Sequence, residues 1–228
     1  MSLPDLPLVV LDCDGTLVDS QHAIATIMQE CFVTHGLAVP DIAAVRTIVG
    51  LQLDEAILRL LGVAEGDPLA MAETYRQVAY RLRGEDKFEE PLYPGAKESI
   101  ARFAADGYLL GVATGKSLLG LRDTLVKHGL DSYFTTLQTS DVAPGKPHPE
   151  MLLRAMRETG AERHATVMVG DTTFDMEMAR AAGTYAIGVG WGYHGRDALV
   201  AAGAHRIVDS YSDLNLAIQD IFNEGDLR

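Results

Sequence analysis

Basic side chains are scarce in this chain of 228 residues. Its 19 Lys and Arg face 32 Asp and Glu, for a formal net charge of −13 and a pI near 4.8. A broad nucleic-acid or anionic-membrane face is thereby disfavoured, since both need a basic surface. Phosphate can still be bound, but only through local cations. Cysteine is equally sparse: Cys13 and Cys31 are the two present, and they provide no disulfide framework. Free thiols in a reducing cytoplasm are the expected state. No apolar run approaches the roughly 20 residues that span a bilayer. Met1-Ser2-Leu3-Pro4-Asp5 lacks the basic region and long apolar stretch of a signal peptide, so a cytoplasmic protein is expected. Internal repeats and low-complexity tracts are missing too. What is plentiful is apolar character, 47% of residues, enough for a sizeable core. The length suits one large α/β domain, or a core domain with a smaller one.

The most informative stretch lies near the start. Leu8-Val9-Val10-Leu11 is a short apolar run that reads as a strand buried on both faces, the mark of a parallel sheet. It leads into Asp12-Cys13-Asp14-Gly15-Thr16-Leu17-Val18-Asp19-Ser20. Side chains alternate along a strand, so Asp12 and Asp14 share a face if the strand geometry persists. Two neighbouring carboxylates are costly unless a cation neutralises them, which predicts a divalent metal, a lysine, or both.

The pattern then becomes helical. Asp19 or Ser20 is placed to cap a helix carrying Ile24, Ile27, Met28, Cys31 and Phe32 and ending at Gly36. Asp41 caps a second helix, Gly50-Leu51-Gln52-Leu53 interrupts it, a third runs to Gly62, and Asp67-Pro68 opens a long fourth. A charged, proline-containing linker spans Lys87 to Gly95. Beyond it, strands and helices alternate. Strands are expected at Tyr108–Ala113, near Phe134–Leu137, and at Thr166–Gly170, Tyr185–Val189 and Arg206–Val208. Alternation at this spacing implies a doubly wound parallel sheet, with a helical block inserted after the first strand.

The first motif resembles the signature of the haloacid dehalogenase superfamily, in its phosphatase branch, and further motifs of that superfamily follow in order along nearly the whole chain. The resemblance implies a Rossmann-like α/β core, residues 1–18 and 88–228, with an inserted α-helical cap, residues 19–87, that selects the substrate. It implies that Asp12 is the nucleophile forming an aspartyl-phosphate. Asp14 would be general acid and then base, a task for a carboxylate with its pKa pushed toward neutrality, and its backbone carbonyl would ligate the metal. Asp171 resembles the family's metal ligand, and Asp175 its second acidic position, which supports the metal shell or holds the lysine. With Asp12 and Asp14 they make a hard-oxygen site suited to Mg²⁺. Thr114, with the N–H groups of Gly115 and Lys116 at a helix start, would hold the phosphoryl oxygens. Many close relatives carry Asn where this chain has Gly115. Lys146, in Pro144-Gly145-Lys146-Pro147, would offset the carboxylate and phosphoryl charges.

In the helical block, Gly50-Leu51 resembles a substrate-specificity loop, and Arg46 and Arg76 are candidate anion anchors. Trp191-Gly192-Tyr193-His194 follows a strand and would either line the rim or form a packed turn; His22 and Cys13 are expected to be structural neighbours. The reaction implied is Mg²⁺-dependent hydrolysis of a small, phosphoglycolate-like phosphomonoester, by a monomer or homodimer. The alternatives are a phosphosugar mutase, a pyrophosphatase, or a non-catalytic phosphate-sensing protein. A dehalogenase is disfavoured, because that branch lacks the carboxylate held here by Asp14.

Overall fold

The computed structural model describes residues 6–63, 65–85 and 89–224. The expectation of no signal peptide at residues 1–5, and the boundary between 87 and 88, lie outside the described residues. Strand β1, Leu8–Leu11, is buried at every position. The reason is that both of its faces are covered. Val9 and Leu11 join one apolar cluster, whereas Leu8 and Val10 join another on the opposite side. A strand that alternates between two cores has no use for a polar face.

Four helices follow: α1 (Gln21–Thr34), α2 (Ile42–Arg46), α3 (Leu53–Leu61) and α4 (Pro68–Gly84). Asp41 accepts the Ala44 N–H at 2.7 Å, and Asp67 accepts those of Leu69 and Ala70, as caps should. Ser20 occupies the N-cap of α1 without a side-chain cap bond. Met28, Phe32, Val45, Ile57, Leu61 and Met71 form the core of this block, and Phe174 from the sheet side inserts into it.

The remaining elements are α5 (Ala96–Ala105), β2 (Leu109–Thr114), α6 (Leu118–His128), β3 (Thr136–Thr139), α7 (Glu150–Thr159), β4 (Thr166–Gly170), α8 (Thr173–Ala182), β5 (Tyr185–Val189), α9 (Arg196–Ala201), β6 (Arg206–Val208) and α10 (Tyr211–Glu224). Strand β3 starts two residues later than the apolar run Phe134–Leu137 suggests. Its Thr136 and Gln138 are buried by hydrogen bonds, both to Glu158 Oε2, rather than by apolar character.

All six described strands are parallel, in the order β3-β2-β1-β4-β5-β6. Phe103 of α5, Leu121 of α6 and Ile218 of α10 cover one face. Met151 of α7 and Met176 of α8 cover the other. In this order the winding reverses between β1 and β4, and a crevice opens at the carboxyl ends of strands at such a reversal. Asp12 directly follows β1 and Asp171 directly follows β4. No helix among the described residues is long and apolar enough to cross a membrane.

Candidate active site

The crevice gathers side chains from four strand ends. Lys146 Nζ lies 2.9 Å from Asp12 Oδ2 and 2.5 Å from Asp175 Oδ1, with all three side chains buried. Asp175 also closes a capping box at the start of α8, accepting from the Thr172 N–H at 3.0 Å and hydroxyl at 2.7 Å. It therefore serves both the helix end and the lysine. Asp171 accepts from Thr16 Oγ1 at 3.1 Å and from the Tyr193 N–H at 2.8 Å. Gly15, at φ +83°, passes so close that a Cβ there would lie 2.2 Å from Asp171 Oδ2. Gly15 is thus required both for its backbone conformation and for the room it leaves.

Asp12, Asp171 and Asp175 each place an oxygen within 4.8 Å of the others. Burial pushes the Asp12 carboxyl up to about 7, with Asp175 and Asp14 adding to the rise and Lys146 opposing it. Burial, then Asp12 and Asp175, also raise Asp171 well above the usual carboxylate range. One lysine cannot balance three buried carboxylates, so the donor set fits a hard divalent cation bound through oxygen.

Asp14 behaves differently. The chain bends at Cys13 instead of continuing as strand, and Asp14 forms an isolated bridge with Val18. The two carboxylates therefore do not share one lysine. Asp14 Oδ1 meets Lys116 Nζ at 2.7 Å, and Lys116 also contacts Glu90 Oε1 at 3.1 Å. Burial acts to raise Asp14, but the Lys116 charge and hydrogen bond, with Ser20, outweigh it and hold Asp14 below its ordinary value. The expectation of a pKa pushed toward neutrality is corrected accordingly: Asp14 is ionised here, in the form that a base needs.

Thr114 ends β2, buried, and accepts the Lys116 N–H at 3.2 Å. Gly115 and Lys116 lead directly into the start of α6. Ser117 is the N-cap of α6, accepting the Gly120 N–H at 3.2 Å. Gly50 and Leu51 lie over Gly115. Arg46 stacks its guanidinium carbon 5.9 Å from the Tyr193 ring centroid, and Arg76 is exposed, 3.7 Å from Glu73. Trp191 and Tyr193 bind inward, to the Thr16 carbonyl and to Asp171, and the His194 ring accepts the Thr173 N–H at 3.1 Å. Cys13 is buried in the core below, whereas His22 is exposed on α1.

Between the helical block and the sheet lies a cleft of about 610 Å³ that includes Asp14, Gly50, Leu51, Gly115, Lys116 and Arg76 in its lining. Arg46 is not part of that lining. Sequence reasoning missed Glu90 and Arg83, which do line it. Arg83 was accessible to it: it follows Arg76 at the i+7 spacing that returns to the same helix face. Glu90 carries no local signal, because its partners Lys116, Thr124 and His128 are all distant in sequence.

A family model described as haloacid dehalogenase-like hydrolase matches residues 9–189. Among curated proteins, the chain is similar to "Probable phosphatase IndB" of Dickeya dadantii (strain 3937), 39% identical over 210 residues, 91% of each chain. It is also similar to a phosphoglycolate phosphatase of Mesorhizobium japonicum, 30% identical over 197 residues, covering 83% of this chain and 85% of the relative. The crystal structure of a predicted phosphoglycolate phosphatase from Haemophilus somnus 129PT superposes with a TM-score of 0.82 at 25% identity, over 94% of this chain and 98% of that one.

Proposed function

The chain belongs to the haloacid dehalogenase-like hydrolase family, and we propose that within it this protein is a Mg²⁺-dependent phosphatase that hydrolyses a small phosphorylated metabolite through an aspartyl-phosphate. The observation that carries the reading is the buried group of Asp12, Lys146, Asp171 and Asp175 at the winding reversal of the sheet. Asp12 is the nucleophile, and Lys146 fixes its orientation and offsets its charge. Asp12 and Asp171 would hold the metal, joined by the Asp14 carbonyl as the family resemblance implies, while Asp175 would support them and holds Lys146. When bound, Mg²⁺ supplies charge neutralisation for the phosphoryl oxygens. Asp14, ionised against Lys116 in the free protein, is the base that takes the proton of the hydrolytic water; its earlier turn as acid toward the leaving oxygen requires that it first take up a proton as the substrate binds. Thr114 and the backbone at Gly115 hold a phosphoryl oxygen.

The division into a core of 1–18 and 88–228 and a cap of 19–87 belongs to the same proposal. Closure of the cap, with Gly50-Leu51 over Gly115, shuts out bulk water during the reaction. The phosphoglycolate phosphatases among the similar proteins support the substrate class of small phosphomonoesters.

Phosphate release from a panel of phosphorylated metabolites, with and without Mg²⁺, tests this reading. Mg²⁺-dependent release of inorganic phosphate is the expected result. Interconversion of sugar phosphates that needs a bisphosphate activator, with little phosphate released, would replace it with a mutase.

A further inference from the structure

We infer that the alcohol half of the substrate carries a ring of nucleoside size with an apolar or aromatic face, not the short acidic chain of phosphoglycolate. This inference rests on the phosphatase reading above and concerns the part of the substrate that lies beyond the phosphate.

Three observations carry it. The first is size. A cleft of about 610 Å³ falls within the roughly 300–1,000 Å³ typical of sites that enclose drug-sized ligands. A two-carbon acid leaves most of that volume to water.

The second is the character of the walls. Ile24 from α1, Leu53 from α3, Tyr75 and Tyr80 from α4 and Leu119 from α6 line the cleft with part of their apolar surface free, over the buried Ile27, Met28 and Leu51. Such a surface gains from desolvating an apolar or aromatic ring face, and tyrosine offers a ring to pack against. Polar groups interrupt the lining. Asp14 and Lys116 are paired and nearly buried, on the side where the phosphate would enter. Glu73, Arg76 and Gln77 of α4 are exposed, where the polar edge of a ring could be met.

The third is charge. Among the described residues, the lining holds the carboxylates Asp14, Glu73, Glu90 and Asp141 against the cations Arg76, Arg83 and Lys116. Lys116 is committed to Asp14 and Glu90, and Arg76 stands beside Glu73. A leaving group with its own carboxylate would enter a cleft without surplus positive charge, and a desolvated, poorly paired anion is costly. A neutral ring meets no such penalty.

The test compares kcat/KM of the full chain with Mg²⁺ for benzyl phosphate, 5′-nucleoside monophosphates and phosphoglycolate. Each releases a primary alcohol, so leaving-group chemistry is matched. The ring-bearing substrates should exceed phosphoglycolate by at least about tenfold, the scale on which pocket contacts discriminate. Leu119→Asn replaces apolar wall by a neutral polar group at a side chain that is 59% exposed. It should lower kcat/KM for the ring substrates at least about tenfold more than for phosphoglycolate. Tyr80→Ala, at a residue 75% exposed, is the second variant and should act in the same direction more weakly. Phosphoglycolate matching or exceeding the ring substrates would overturn the inference, as would equal losses on all substrates in both variants. Silence on every substrate, with the protein folded and metal present, would instead overturn the phosphatase reading itself.

Discussion

A Cβ at Gly115 would lie 2.6 Å from the carbonyl oxygen of Leu51, which belongs to the helical block. The obstacle is backbone, so no rotamer change can relieve it. The missing Asn side chain at this position is therefore the condition for the Gly50-Leu51 loop to rest on the core. Gly115→Ala should displace that loop, cost about 1–3 kcal/mol as overpacking does, and lower kcat/KM. Chemical denaturation and steady-state kinetics measure the two effects. Wild-type values for both would mean that the loop does not need this approach.

Asp12→Asn removes the charge that Lys146 faces at 2.9 Å while keeping the shape. Turnover should fall by more than about 10³-fold, as when a covalent nucleophile is lost, with the far-UV circular dichroism unchanged. Substantial residual turnover in protein free of wild-type contamination would remove Asp12 as nucleophile.

Lys146→Met leaves Asp12 and Asp175 buried without their cation. Breaking a buried ion pair from one side costs about 3–5 kcal/mol. Mg²⁺ should recover part of that loss, because it meets the same carboxylates. Melting temperature with and without Mg²⁺ is the readout, and a Mg²⁺ response no larger than that of the wild type would contradict a shared metal and lysine site.

Chelation with EDTA should silence the enzyme and Mg²⁺ should restore it. Asp171→Asn should raise the Mg²⁺ concentration for half-maximal activity by at least about tenfold, since even partners of ligands change affinity by 10–100-fold. Asp171 is held by Thr16 and Tyr193, so its geometry should survive the change. An unaltered Mg²⁺ requirement would take Asp171 out of the metal site.

His205 accepts the Ala186 N–H at 2.9 Å, and burial, with Arg180 beside it, lowers its pKa below the ordinary histidine value of 6.5. The unfolded chain therefore binds a proton that the folded protein resists. Stability is full above about pH 6.5 and falls as pH drops through that value toward the lowered folded pKa. His194, lowered chiefly by burial, adds in the same direction. His205→Gln should narrow the difference in urea midpoint between pH 7.5 and pH 5. A difference of unchanged size would place the pH dependence elsewhere.

What the sequence determined by itself is local. Asp41, Asp67 and Ser117 cap helices because a side-chain oxygen reaches an N–H two or three residues on, a distance the chain cannot alter. The apolar run Leu8–Leu11 could only be a strand covered on both faces, and alternation after residue 95 could only wind a parallel sheet. The family motifs, each at a strand end, followed from that order. The strand order was not legible, nor was the pairing of Asp14 with Lys116, which are 102 residues apart. The ionised state of Asp14 and the part played by Glu90 depended on that pairing. These were decided by tertiary structure, because a buried charge settles according to which opposite charge folding brings within about 3 Å, and spacing along the chain carries no record of that distance.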